Sequence, residues 1–179
     1  MSWPEFIACT FRTRTIRLAA GVAALLLAVG LRAELKVGDA FPALKGVQAD
    51  AALPVTAGHV TLIDFWASWC GPCKSSFPVY SRIQSDYAKD GLVVVGVSVD
   101  DSDAAYRTFV RRLAPTFVTA VDARHELAAH VEVPAMPTSY LLGRDGRVRY
   151  IHVGFHGAET EKQIRREIES LLAETPSSS

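Results

Sequence analysis

The sequence of 179 residues has no surplus of either charge: nineteen Lys and Arg face nineteen Asp and Glu, a formal net charge of zero. Phosphate binding needs a basic surplus gathered on one face, so nucleic acid is not an expected partner. Cysteine is scarce, with three in the chain. Three thiols cannot staple a disulfide-rich miniature fold or complete a four-thiolate zinc site. Twelve glycines and nine prolines are too few for a collagen-like or low-complexity chain. What is present is ordinary globular usage, 49% hydrophobic and 21% charged, enough to bury one core in one domain.

Long apolar runs are also few. One stands out, residues 18–31, led by Arg12, Arg14 and Arg17 and followed by Arg32-Ala33-Glu34. Fourteen helical residues reach about 21 Å, against roughly 30 Å of hydrocarbon core. The pattern is that of a signal sequence over residues 1–33, with cleavage after Ala33 expected; an uncleaved membrane tether through residues 18–31 is the competing reading. A buried core helix fits less well, because the run is apolar on every side and basic at one flank only. The positive-inside rule sends everything after Ala33 across the membrane in either case. Residues 1–33 carry four basic residues, one acidic residue and Cys9. Without them the chain has a net charge of about −3 and two cysteines, Cys70 and Cys73.

From residue 60 the chain alternates between strand and helix patterns. Residues 60–66 are β-branched and aromatic, as in a buried strand. Gly71 and Pro72 open a helix with Phe77, Tyr80, Ile83 and Tyr87 at helical spacing, ending near Asp90-Gly91. Residues 92–99 are too apolar for a half-exposed strand and read as central and parallel. Residues 100–113 read as a helix capped by Asp-Ser-Asp, residues 116–121 as a third strand, and residues 124–130 as a short helix. Residues 139–142 and 147–153 form a hairpin across Arg144-Asp145-Gly146. An amphipathic helix over 158–173 carries Ile164, Ile168, Leu171 and Leu172, before a frayed tail over 174–179. Parallel βαβ units followed by an antiparallel hairpin predict an α/β fold, a mixed central sheet flanked by helices.

The chemistry concentrates in Cys70-Gly71-Pro72-Cys73, at the strand-to-helix junction. Unpaired amides and the helix macrodipole favour a thiolate at Cys70, which makes it the nucleophile. Cys73, one turn on, is placed to displace the mixed disulfide that Cys70 forms. Pro72 lies in the first turn, where no N–H is needed. An inert disulfide is the weaker alternative, because closing so short a loop stabilises little. A metal site is weaker too: two thiolates need two more ligands, and His59, His125, His130, His152 and His156 include no pair with convincing ligand spacing. No metal and no cofactor are expected.

The stretch from Asp64 to Lys74, Asp-Phe-Trp-Ala-Ser-Trp-Cys-Gly-Pro-Cys-Lys, resembles the active-site segment of thioredoxin. Val133-Pro-Ala-Met-Pro-Thr-Ser-Tyr-Leu-Leu142 resembles the segment that carries its cis-proline. The resemblance covers residues 36–173. Val37-Gly-Asp-Ala-Phe-Pro42, Phe77-Pro78 and Val97-Ser-Val-Asp-Asp101 are similar to the exported TlpA/ResA branch of thioredoxin-like proteins. The resemblance implies a thioredoxin fold with an extra N-terminal β segment and a redox-active Cys70–Cys73 disulfide. It implies reduction of disulfides in exported proteins, including those matured into cytochrome c or copper sites. It further implies that Pro137 is cis and faces the disulfide, with the Met136 backbone free to pair with an extended client. Asp64 matches the buried acid behind the pair that takes the proton of the resolving thiol. Burial raises a carboxyl's pKa and suits it to that work. Trp69 would flank the disulfide, with Gly71 and Pro72 completing the client-contacting surface, while Trp66 belongs to the core.

Several positions depart from the pattern. Ser76 stands where the branch often has Glu, and Asp64 where it often has Asn. Strand 92–99 lacks the lysine that thioredoxin keeps beside its acid, so a different proton relay is expected. Gly-Pro between the cysteines resembles reducing members. A reducing pair in an oxidising space needs continual re-reduction, so a membrane thiol reductant is the expected donor. The expected location is the periplasm, soluble after cleavage or anchored to the inner membrane. A peroxiredoxin-type peroxidase and a Sco-like copper chaperone compete with this reading. The first wants a Pro and Thr framework before a single peroxidatic Cys, and the second a three-residue spacing with a dedicated His. His152 and His156 read as solvent-side histidines.

Overall fold

The computed structural model describes residues 34–174, so the expected leader over 1–33 and the last five residues of the expected tail lie outside the described residues. In chain order the elements are β1 (Gln48–Ala49), β2 (Val60–Trp66), α1 (Gly71–Tyr87), β3 (Leu92–Ser98), α2 (Asp103–Leu113) and β4 (Val118–Val121). They are followed by α3 (Glu126–Val131), β5 (Thr138–Leu142), β6 (Val148–Val153) and α4 (Ala158–Ala173). The strands form one mixed sheet in the order β1-β4-β3-β2-β5-β6. β2, β3 and β4 run parallel, and β5, β6 and β1 join antiparallel. The extra N-terminal β segment is the two-residue β1, attached at the edge beside β4. This is a thioredoxin-like fold.

Every residue of β2 is buried, as its apolar run requires. Alternation along the strand sends Leu62, Asp64 and Trp66 to one face and Ile63 and Phe65 to the other. On the first face Trp66 meets Phe77 of α1 edge-on at 4.8 Å and stacks on Phe109 of α2 at 4.5 Å. On the second, Phe65 and Phe41 both pack against Tyr140. Gly96 of β3 lies directly opposite Asp64. A Cβ there would come within 3.1 Å of the Trp66 indole nitrogen and of Phe117, so glycine is what lets the indole lie flat in this layer.

The strand and helix types match the sequence expectation; several boundaries move for identifiable reasons. The α-helical part of α1 ends at Tyr87, and a 3₁₀ turn over Ala88–Asp90 leads into left-handed Gly91, with φ +101°. α2 starts at Asp103 rather than 100: Ser102 is its N-cap and accepts from the Ala105 N–H at 3.3 Å, while Asp100 is held in other bonds. β4 begins at Val118 rather than 116, because Thr116 bonds sideways to Ser81 of α1. α3 runs two residues later at its start and one at its end, with the Asp122 carboxylate receiving the Glu126 and Ala128 N–H groups. One burial expectation is overturned. His152 is not solvent-side: it is 9% exposed, and its Nε2 lies 2.7 Å from Glu167 Oε2 of α4. It points into the face that α4 covers. His156 is exposed, as expected.

Candidate active site

Cys70 and Cys73 are joined as a disulfide at the N-terminus of α1. Cys70 is the N-cap, with extended backbone, and its sulfur accepts the Cys73 N–H at 3.2 Å. A donor aimed at that sulfur is what a thiolate there would need. Both cysteines are buried, but the Cys70 residue keeps 4% exposure where Cys73 has none. Cys70 is therefore the side from which a partner can approach. Trp69, at 70% exposure, stands beside it, and Gly71 and Pro72 are exposed on the same turn.

Strand register brings the second loop to the same end of the sheet. Phe65 pairs with Thr138, so Pro137 falls beside the C-terminal end of β2, from which the cysteine loop departs. The Met136–Pro137 peptide is cis, and Pro137 is buried. The Pro137 carbonyl accepts the Gly154 N–H at 2.7 Å. Met136 makes no backbone–backbone hydrogen bond among the described residues, so its peptide groups are open to an added strand.

Asp64 lies in the middle of β2 on the α1 face and is fully buried. Neither carboxylate oxygen has a hydrogen-bond partner among the described residues. Burial holds its carboxyl well above the ordinary carboxylate range. The buried face of α1 carries Cys73, Ser76, Phe77, Tyr80 and Ile83, so Cys73 and Tyr80 lie on the stripe that covers Asp64 and Trp66. Tyr80 feels the Asp64 charge: burial first, and that charge second, push its hydroxyl well above its usual value. The Tyr80 hydroxyl donates to Ser139 Oγ at 3.4 Å.

All the expected residues gather at this end of the molecule, and the sequence reading missed three groups among them. Asp100, just past β3, accepts the Ser68 N–H at 3.1 and 3.0 Å, the Ser68 hydroxyl at 2.7 Å and the Ser98 hydroxyl at 2.8 Å. It pins the loop that presents Trp69 and Cys70. Tyr80 and Ser139 sit in an apolar helix stripe and an apolar strand, yet their hydroxyls bond to each other on the face that carries Asp64. The only sequence signal was polar text, Ser98 and Asp100 flanking Val99 and Ser139 inside an apolar strand, and it did not say which polar groups meet. Among the described residues no group of three His, Cys, Asp or Glu is placed to hold a metal ion, and no helix is long and apolar enough to cross a membrane.

Residues 36–168 match the family model of Redoxin. The chain belongs to the Redoxin family. Within it, the thiol-disulfide oxidoreductase ResA of Bacillus thuringiensis subsp. konkukian is 26% identical over 114 residues, 64% of each chain. The match thus spans a little under two thirds of that relative's length. The thioredoxin-like protein YneN of Bacillus subtilis is 32% identical over 122 residues, 66% of this chain and 69% of its own. A solved structure assigned as a thiol:disulfide interchange protein DsbE, from Chlorobium tepidum, superposes with a TM-score of 0.69 at 33% identity. It covers 78% of this chain and 100% of its own. This Redoxin member is therefore a thioredoxin-like protein of the TlpA/ResA type, with a Cys-Gly-Pro-Cys disulfide at its helix start.

Proposed function

We propose that this chain is a thiol-disulfide oxidoreductase that reduces disulfides of exported proteins through Cys70 and Cys73. The observation that carries the reading is the asymmetric pair: Cys70 at the helix N-terminus with a little exposure, Cys73 fully buried on the face that covers an unpartnered carboxyl. The names of the relatives agree with it. In the reduced protein the Cys70 thiolate attacks a client disulfide, and one client sulfur leaves and takes up a proton. The Cys73 thiol then gives its proton to Asp64, and its sulfur attacks Cys70. The Cys70–client bond breaks, the second client sulfur leaves, and the Cys70–Cys73 disulfide forms. Two electrons pass to the client. The client lies along Met136-Pro137, against Trp69, Gly71 and Pro72. Clients include cysteine pairs of cytochrome c or copper-site proteins, and a membrane thiol reductant restores the dithiol. The domain works in the periplasm, freed by cleavage after Ala33 or tethered through residues 18–31.

Trapping tests this. The full chain carrying Cys73→Ser is expected to accumulate mixed disulfides through Cys70, with client peptides identified by mass spectrometry. Cys70→Ser should accumulate none. Equal trapping by both variants would refute the assigned roles. Thiol labelling in growing cells should find the wild-type pair largely reduced; a fully oxidised pair, whatever membrane reductant is present, would make it an oxidase instead.

A further inference from the structure

A base that accepts a proton on each turnover must also return it to solvent, and Asp64 has no surface exposure and no hydrogen-bonding side chain among the described residues. Beside it lies a row of polar side chains that the disulfide chemistry does not use. Asp64 on β2 is directly opposite Ser139 on β5, and Ser139 is directly opposite His152 on β6. Residues opposed in this way share a face, with Cβ atoms about 5 Å apart. The helices close the row from above. Tyr80 of α1 is hydrogen-bonded to Ser139, and Glu167 of α4 is bonded to His152. The other Glu167 oxygen accepts the amide of Gln163 at 3.0 Å, at an exposed position. The Glu167 side chain is where the row meets water, at 12% exposure. β3 contributes only Gly96 beside Asp64, so no cation stands there.

We propose that Tyr80, Ser139 and His152 relay the Asp64 proton to the surface at Glu167. The proposal rests on Asp64 acting as the base for Cys73. When Cys73 resolves the mixed disulfide, its S–H proton passes to the Asp64 carboxylate. In the disulfide form Tyr80–Ser139 and His152–Glu167 are hydrogen-bonded, whereas Asp64 to the Tyr80–Ser139 pair and Ser139 to His152 are neighbours without a bond, so the relay requires these two gaps to close in the reduced protein. The carboxyl proton then moves to the Tyr80 and Ser139 hydroxyls, each accepting one proton and releasing its own. One ring nitrogen of His152 takes it up, and the other releases a proton to Glu167 and water. No electron moves, and every relay group ends in its starting protonation state. Reduction of the disulfide runs the same route inward. The titratable groups facing this row are Cys73 and Tyr80 from α1, His152 and Tyr150 from β6 and Glu167 from α4; β3 and β5 present none to it. Tyr80 suits a relay because burial and the Asp64 charge keep its hydroxyl protonated.

The test uses the reduced full chain with oxidised glutathione, which Cys70 attacks first and Cys73 then releases. Acid quenching and mass spectrometry follow the glutathione adduct and the closure of the disulfide. Tyr80→Phe and His152→Gln keep the ring and the Glu167 contact respectively, so they remove proton transfer with little change in packing. Each is expected to slow release of the adduct roughly tenfold and to enlarge its solvent deuterium isotope effect. In an Asp64→Asn background the same substitutions should change nothing further. Three results would overturn the relay. Equal losses in the Asp64→Asn background would mean that these side chains act through packing. Wild-type rates and isotope effects in both single variants, with Asp64→Asn slow, would remove the route and keep the base. A wild-type rate in Asp64→Asn would remove both.

Discussion

Asp64, within β2 under α1, and Asp100, just beyond β3, are two buried carboxylates of one sheet in opposite conditions. Asp100 gathers the Ser68 N–H and hydroxyl and the Ser98 hydroxyl, whereas Asp64 has no partner for either oxygen. A carboxylate ringed by donors is a satisfied acceptor and serves as a clamp. A carboxyl without donors is costly as an anion, favours its protonated form, and can therefore carry a proton. Burial alone does not separate structural acids from chemical ones; the bonds around them do.

The largest expected effect breaks the clamp. Asp100→Ala strands the Ser68 N–H and hydroxyl in a half-buried loop and the buried Ser98 hydroxyl at the end of β3, and should cost about 3–4 kcal/mol of stability. For a domain of this size that is a fall of roughly 10 °C in Tm. Asp103→Ala, at an exposed first-turn acid, is the control. Similar losses at 100 and 103 would dissolve the contrast between the two buried acids. Loosening the Ser68 loop should also slow the first attack by Cys70 on glutathione, even at temperatures where the variant is folded.

Asp64→Asn should do the reverse. It is expected to slow resolution by Cys73 about 100-fold, the lower range for a lost general base, with the first attack much less affected. Equal slowing of both steps would count against a proton role. The fold, however, should gain. Below about pH 4 the Asp64 carboxyl is protonated whether the chain is folded or not, so there wild type and Asn variant have similar stability. As pH rises above 3.8 the unfolded chain ionises while the folded one holds its proton, so wild-type stability falls until the pH passes the raised folded value. The Asn variant escapes that loss, on the order of 1.4 kcal/mol for each pH unit by which the midpoint is raised. Urea unfolding at pH 4 and pH 8 measures the gap, which should open at the higher pH. A gap that closes with rising pH would contradict the burial argument.

This contrast also marks how far the sequence could be read. β2, α1 and α4 were legible because each is a local pattern of apolar spacing with a Gly-Pro or Asp-Gly boundary. The Cys pair, Pro137 and Asp64 were legible because they stand within short motifs. What was not legible depends on register between distant strands. Ser68 meets Asp100 across 32 residues, Tyr80 meets Ser139 across 59, and β1 finds β4 far along the chain. His152 shows the same limit. Its strand is mixed in polarity, so only the pairing with Ser139 and the arrival of α4 decide that its ring turns inward.

Asp122 supplies an intermediate case and the smallest expected effect. It is buried at the end of β4, and its two oxygens accept the Glu126 and Ala128 N–H groups at 3.1 and 2.8 Å. It therefore satisfies the first turn of α3, a six-residue helix too short to hold itself together. His125, the residue just before α3, lies in the left-handed region and makes no side-chain cap, so the carboxylate reaching over from position 122 does the capping. Asp122→Ala should cost about 1 kcal/mol, the usual value of a lost cap, and Asp122→Asn about half of that because one acceptor remains. The consequence reaches the active site through the chain itself: α3 ends at Val131, and the loop that follows carries Met136 and Pro137. A looser α3 should raise KM for a protein client about twofold, while Cys70 reacts with glutathione at the wild-type rate, because glutathione does not need the Met136 strand. Equal changes toward both substrates would place the effect at the cysteines instead. An unchanged Tm would show that the carboxylate is satisfied without supporting the helix, and would leave Asp100 as the only structural acid of the three.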